Sequence, residues 1–314
     1  MKHFVLSLFV CLSLLLVAGQ SVMAQEKYTL KNAYPPGQYE MVMSTEMDMT
    51  IGMSAGAKVP MQQTQTQYIT IDAAERSADG TQKIVMEFTR VAINQKASIL
   101  NLKYDSADPN AANSPMKAAG VIVGLKLTIL LDKDNHPIKY EGMSEFFDKL
   151  LENPDYPIQV AEMLRSQMTD ESMTKSLDVA KEMMPKNPVA VGETWKTEGS
   201  SELPMLGKAK MNLENTLQEV KTESGRKIAV IESTSTISSE EAKETSLLPG
   251  MSMTFSAMDV SGKTTAFVDL ESGLMQKSTA DMDITMEISM DMNGRERTQK
   301  ISGKGKTTMT VTPK

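Results

Sequence analysis

The strongest constraint in this sequence is a two-residue alternation of apolar and polar side chains, sustained over segments far longer than an ordinary turn-to-turn run. It marks Tyr39 to Met53, Val59 to Ala73, Lys83 to Ile93, Lys126 to Asp132, Lys208 to Val220, Lys227 to Ile237 and Ala280 to Met292. Successive side chains of a strand point to opposite faces, so this period predicts strands with one face buried and one solvated. The segments are punctuated by turn chemistry: Ser54-Ala55-Gly56-Ala57, Ala78-Asp79-Gly80, Glu223-Ser224-Gly225, Glu271-Ser272-Gly273 and Asn293-Gly294. Most of the chain is therefore expected to be antiparallel β.

The order of segments occurs twice. Gly37-Gln38-Tyr39 opens one run and Gly192-Glu193-Thr194-Trp195 the other. Each continues with two long strands, a Gly-containing turn and a third strand, then closes on an Asp-centred hairpin, Leu127 to Asn135 in the first and Thr265 to Gly273 in the second. Between the runs, residues 143 to 184 change to helical spacing, with Phe146, Phe147, Leu150 and Leu151 on one apolar stripe and Met173, Leu177, Ala180 and Met184 on another. Pro157 suits a first helical turn, and Pro185 and Pro188 end the segment. A short helix is expected from Ser114-Pro115 to Gly120 or Gly124. The fold class is α+β, mainly β: a duplicated, long-stranded, twisted antiparallel sheet, curling as a half-barrel, with a helical insert packed against it. The expected divisions are a signal peptide at 1–24, a first β unit at 25–142, the helical insert at 143–187 and a second β unit at 188–314.

The leader reading comes from Lys2, the apolar stretch from Phe4 to Val17, and the Val22-Met23-Ala24 site ahead of Gln25. The stretch is too short to span a bilayer as a helix, and no later run reaches the roughly 20 apolar residues that spanning needs. Export to the periplasm or the extracellular space is the expected localisation. Cleavage there removes Cys11, the single cysteine, and with it any disulfide, thiolate nucleophile or thiolate metal site. It also removes Lys2, taking the net charge from −7 to −8. Without a basic cluster, nucleic acid and anionic membrane surfaces are poor partners.

Three segments carry a resemblance. The run from Leu130-Leu131-Asp132 to Tyr140-Glu141-Gly142, the entry Pro188-Val189-Ala190-Val191-Gly192-Glu193-Thr194-Trp195, and Val268-Asp269-Leu270-Glu271-Ser272-Gly273 resemble an uncharacterised family of secreted bacterial proteins. These motifs are turns and strand starts, so the resemblance implies no activity. The architecture is more remotely similar to the half-barrel carriers of bacterial lipoproteins, an analogy of shape.

Catalytic motifs are absent from the sequence. After Gln25 the one histidine is His136, in an expected solvated turn beside Pro137, and no Gly-x-Ser-x-Gly elbow or Gly-rich phosphate loop occurs. Asp132, Asp134 and Asn135 begin like a calcium loop, but the sixth position is Pro137 and the twelfth Met143, where such a loop needs Gly and Glu. A plain hairpin turn is the better reading, and no metal or cofactor is expected. Carboxylate-only hydrolysis is invisible in sequence and stays an alternative, although aromatics are only 5% of the chain and Trp195 is its single tryptophan, read as an anchor of the second sheet.

The chain has 27 methionines, of which Met1 and Met23 precede Gln25. Met41, Met43, Met47, Met49 and Met53 share a strand face with Ile51; Met282, Met286, Met290 and Met292 share one with Ile284 and Ile288; Met251 and Met253 form a further pair. Three roles fit such faces. Methionine is a flexible core filler; it makes adaptable apolar grooves; and its thioether is a soft ligand for Cu(I). The functional reading drawn from the sequence is a non-catalytic exported protein that binds an apolar small molecule, lipid or protein segment through a concave methionine-rich face, with Met41, Met43, Met47, Met49, Met282, Met286 and Met290 as the ligand-binding residues. A structural or assembly component of the cell envelope is the other non-enzymatic alternative.

The Asn293-Gly294 turn fixes a register. A two-residue type I′ turn pairs Met292 with Arg295, and so Glu287 with Lys300, Asp283 with Lys304 and Asp281 with Lys306 on one face. On the other face Met286 meets Ile301, Ile284 meets Gly303 and Met282 meets Gly305.

Overall fold

The computed structural model describes residues 25–314 apart from 53–55, 98–99, 153–157, 177–182, 204–206, 240–242, 249–250 and 293–294. The expected leader, Met53, Pro157, Leu177, Ala180 and the Asn293-Gly294 turn thus lie outside the described residues. The strands in chain order are β1 (Lys27–Tyr28), β2 (Gly37–Gly52), β3 (Lys58–Ala73), β4 (Gln82–Ala97), β5 (Leu100–Asp105), β6 (Lys126–Leu131) and β7 (Pro137–Glu141). After the helices follow β8 (Val189–Ala190), β9 (Thr194–Leu203), β10 (Gly207–Glu223), β11 (Arg226–Ser239), β12 (Lys243–Leu248), β13 (Met251–Asp269), β14 (Met275–Met292) and β15 (Arg295–Pro313). Every alternating segment of the sequence is a strand.

Thirteen of these strands form one antiparallel sheet, ordered β7-β6-β4-β3-β2-β15-β14-β13-β11-β10-β9, with β5 on β4 and β12 on β13. The first long strand pairs with the last, β2 with β15, so the two runs share one sheet. The helices are α1 (Met143–Leu151), α2 (Ile158–Gln167) and α3 (Asp170–Ser176). The short helix expected from Ser114 is instead two 3-10 turns, Ala111–Asn113 and Lys117–Ile122. Their stretch carries Pro115 and Gly120, and a side chain at Gly120 would collide with the Tyr104 hydroxyl. These residues disfavour regular helix there.

The sheet must curve strongly. Eleven strands about 4.8 Å apart would spread some 50 Å if flat, whereas α3, a seven-residue helix roughly 10 Å long, touches both β7 and β9, the two ends of the strand path. The Thr174 hydroxyl accepts from the Tyr140 N–H at 3.0 Å, fixing α3 to β7. The sheet is an open half-barrel whose edges are bridged by the helical insert. The edges remain unpaired with each other, so the barrel does not close.

One end of the curved sheet is plugged. Tyr39, Met41, Ile69, Ile71, Ile84, Leu131 and Val311 form one buried cluster, with Tyr34 packed on it. Leu30, Val189, Leu217, Ala229, Ile231 and Val268 form another. The segment from Leu30 to Tyr34 therefore runs across both halves, and its Ala33 N–H donates to the Gly273 carbonyl at 2.9 Å. The helices have their own cluster of Met143, Phe147, Leu150 and Ala161, with Val121, Leu127, Phe146, Leu151, Met168 and Met173 against it.

The two Asp-centred hairpins use the same chemistry. Asp132 accepts the N–H groups of Asp134 and His136 at 2.9 and 2.8 Å, and Asp269 accepts those of Glu271 and Ser272 at 2.9 and 3.0 Å. An arginine from a neighbouring hairpin clasps each turn. Arg76 donates to the Asp132 carbonyl at 2.8 Å, and Arg226 to the Asp269 carboxylate at 3.3 Å.

Candidate functional site

The methionine-bearing face can be followed strand by strand, because directly paired residues in an antiparallel sheet share a face. Nearest the plugged end, Met41 pairs with Val311 and Ile69. Met41 is only 6% exposed and belongs to the sealed core, so of the seven methionines named above it is the one least able to meet a ligand. Met43 pairs with Met309 and Gln67 and is half-buried.

Next comes a polar belt. Thr45, Thr307, Ala280, Thr264, Ser233 and Asn215 are successive register partners, and Gln65 lies on the other side of Thr45. The Thr45 and Thr307 hydroxyls share a hydrogen bond of 3.0 Å, and Ser233 donates to the Asn215 side-chain oxygen at 2.6 Å.

Beyond the belt lies a layer in which glycines alternate with methionines: Met47, Gly305, Met282, Gly262 and Ser235, with Gln63 and Gln95 continuing past Met47. The missing side chains leave space that the methionines only partly take. The Met282 methyl sits about where it would meet a β-carbon added at Gly305, 3.3 Å away. A cavity of about 860 Å³ opens at this layer, lined by residues of β3, β2, β15, β14, β13 and β11, with Met47, Met282, Gly262, Gly305, Gln63 and Ser235 among them. Its border also takes in the exposed neighbours Glu46, Asp48, Asp281, Asp283, Lys304 and Lys306. Six adjacent strands can border one cavity only on a concave face.

The next layers are apolar again. Met49 pairs with Gly303 and Met61, Ile284 with Gly303 and Val260, and Met286 with Ile301 and Met258. Met290 pairs with Met253. Met47, Met49, Met282, Met286 and Met290 are all half-buried rather than sealed. Among the described side chains the helical cluster contains none of these sheet methionines, while α2 reaches β12, which pairs with β13 at Met251 and Met253.

Charge separates the two faces. The face opposite the methionines is a ladder in which Lys306 lies between Glu46 and Asp281, and Lys304 between Asp48 and Asp283. Lys300 meets Glu287 at 3.0 Å and Lys304 meets Asp283 at 3.7 Å. All the pairings derived from the Asn293-Gly294 turn are present in the register of β14 with β15. On the methionine face, by contrast, the register partners on β2, β3, β10, β11, β13 and β14 include no Asp, Glu, Lys or Arg, and β15 contributes Arg295 and Arg297, both at its far end from the plugged core.

His136 sits in the Asp132 turn, half-exposed, with its Nδ1 3.2 Å from Asp132. Asp132, Asp134 and His136 converge closely enough to hold an ion. However, the Asp132 oxygens already accept two backbone N–H groups and the ring, which accounts for the geometry as a turn. Trp195, on β9, is half-buried against the second cluster, and its indole N–H donates to the Met183 carbonyl at 3.0 Å. Sequence reasoning found the methionines but missed the belt between them. Thr45, Thr307 and the Gln63–Gln67 row occupy inward positions of the same alternation, and polar residues at such positions were the available signal.

Among the described residues no helix is long and apolar enough to cross a membrane. No curated protein matches the chain. Among solved structures, lipovitellin, in a structure described by its lipid–protein interactions, is 7% identical with a TM-score of 0.43 over 89% of this chain, and the chain spans a quarter of that protein's length. An outer membrane channel from Pseudomonas putida F1 is 9% identical with a TM-score of 0.23, over 90% of this chain and 98% of its own. OpdQ of Pseudomonas aeruginosa is 8% identical with a TM-score of 0.20, over 88% of this chain and 99% of its own. The model of a family of unknown function, DUF6263, matches residues 79–275, which is more than half of the chain. The chain therefore belongs to that family, DUF6263, whose function is unknown.

Proposed function

We propose that this protein is a non-catalytic, exported binding protein that holds an apolar ligand on the methionine face of its half-barrel. One observation carries the reading. Met47, Met49, Met282, Met286 and Met290 are half-buried around and beyond a cavity of about 860 Å³, and among the described side chains the helical cluster is built without them. That volume lies within the range of small-molecule sites. Methionine suits a face that must repack around flexible chains, because its unbranched thioether adapts its shape at little cost. Export is supported by the Lys2, Phe4 to Val17 and Ala24 pattern of the sequence.

The test is direct. Organic extraction of freshly purified protein, followed by mass spectrometry, should release an apolar compound in near-stoichiometric amount. The Met47→Glu, Met282→Glu double variant, folded by circular dichroism, should release less than a tenth as much. Empty wild-type protein that also fails to take up a fluorescent apolar probe would sink the reading and favour an assembly role in the envelope.

A further inference from the structure

We propose that the ligand is an uncharged acyl ester of the acylglycerol type, with its chains along the methionines and its head against the polar belt. This rests on the apolar-binding reading above and adds the class of ligand.

Two independent features of the methionine face point there. The first is its charge. Apart from Arg295 and Arg297, at the end of β15 far from the belt, the inward register positions of the long strands hold only apolar, hydroxyl and amide side chains, while the opposite face of the same strands is crowded with Asp, Glu and Lys. The lysines that border the cavity, Lys263, Lys304 and Lys306, belong to that opposite face, where Glu232, Asp48, Asp283, Glu46 and Asp281 flank them. A carboxylate or phosphate head placed at the belt would therefore lose water without a free counter-charge, which is strongly unfavourable. An ester or hydroxyl loses far less and finds partners on the Asn215 side of the belt in Ser233, its register partner Thr264, and Ser235.

The second feature is Asn215. It is 5% exposed, its side-chain oxygen accepts from Ser233, and its side-chain nitrogen is buried without a hydrogen-bond partner. Either way round the amide, one end is unsatisfied, and buried polar groups of native proteins are rarely left so. Ser233 is two residues along β11 from Ser235, which lines the cavity. A head bearing both an ester carbonyl and a free hydroxyl can satisfy either end of Asn215. The belt also lies on the apolar face between the plugged core and the layers of Met49, Met286 and Met290. A ligand must then be polar at one level and apolar beyond it.

Trp195 supplies the probe, because the single tryptophan is the register partner of Asn215 on β9. Quenching of its fluorescence would be measured in the extracted full-length mature chain with three brominated probes: dibrominated monooleoylglycerol, dibrominated oleate at pH 8 and dibrominated octadecene. The glyceride should bind at least tenfold tighter than the oleate anion. Asn215→Leu and Thr264→Val should each weaken the glyceride about fivefold and leave octadecene unchanged. Oleate binding as tightly as the glyceride would overturn the uncharged-head proposal, and this comparison needs no variant. Equal binding of glyceride and octadecene, insensitive to both substitutions, would overturn the head contact while leaving apolar binding intact. Failure of all three probes would overturn both.

Discussion

Asp269 is the one acidic or basic residue among the buried polar residues described, its side chain 1% exposed. Burial alone would raise its carboxyl, but the N–H groups of Ser272 and Glu271, the Ser272 hydroxyl and Arg226 outweigh that and hold it below the ordinary 3.8. A carboxyl depressed in the folded state stabilises the fold fully above its unfolded value near 3.8 and loses that contribution as the pH falls through the depressed one. Asp269→Ala should cost about 2 kcal/mol in urea unfolding at pH 7, since two backbone donors and Arg226 lose their acceptor. Asp269→Asn should flatten this part of the acid transition. Glycines give a second contrast. A β-carbon at Gly303 would collide with the Asp48 carbonyl and lie 2.8 Å from the Met49 Cα, both backbone of β2, whereas at Gly305 it meets the mobile end of Met282 at 3.3 Å. Gly303→Ala should therefore destabilise by about 1–3 kcal/mol. Gly305→Ala should be close to neutral, and thermal melts would separate them. The sequence marked both Asp turns and both glycines, yet the buried amide of Asn215 was illegible, because its missing partner depends on what the neighbouring strands β9 and β11 place around it.

At the scale of elements, the two-residue turn was enough to pair β14 with β15 along its length. A slip by one residue would carry the methionines to the side of the lysines, so burial and charge both enforce the register. The cross-strand pairs themselves are exposed and add little. A double-mutant cycle on Glu287 and Lys300 should give a coupling of about 0.2–1 kcal/mol that weakens in high salt. β13 shows where such reading fails. Its 19 residues are one strand, but the register shifts between Phe255 and Ala257, so the apolar positions change from odd to even at Met258 and break the alternation. Only its two ends, Met251 with Met253 and the hairpin at Thr265 to Gly273, were legible. The insert is a further case. Helical spacing was legible where the structure has Met143–Leu151, Ile158–Gln167 and Asp170–Ser176, though Met184, expected on a helical stripe, is outside them. Which strands the helices touch was not legible, because an amphipathic stripe says that something is covered and not what.

For the whole molecule, the bridge of α3 between β7 and β9 shields the two ends of an open sheet. Replacing residues 143–176 by a short Gly/Ser linker should leave the strands formed but expose those edges. Size-exclusion chromatography should then show dimers and larger species where the intact protein runs as a smaller one. The chain's own packing should suffice for stability, so the melting temperature should be the same with and without chelator; a drop of several degrees would implicate Asp132, Asp134 and His136 in ion binding. The sequence by itself determined the strands, their local pairing and the segregation of methionine from charge, since these follow from the two-residue period and turn chemistry within neighbouring segments. Only the tertiary structure decided that the first and last long strands pair, that the sheet curves until one short helix reaches both ends, and that the methionine face stays partly open. The first rests on partners more than two hundred positions apart and the others on contacts between elements of different period, where no local pattern carries information and the shape of the space left over is set by all the strands at once.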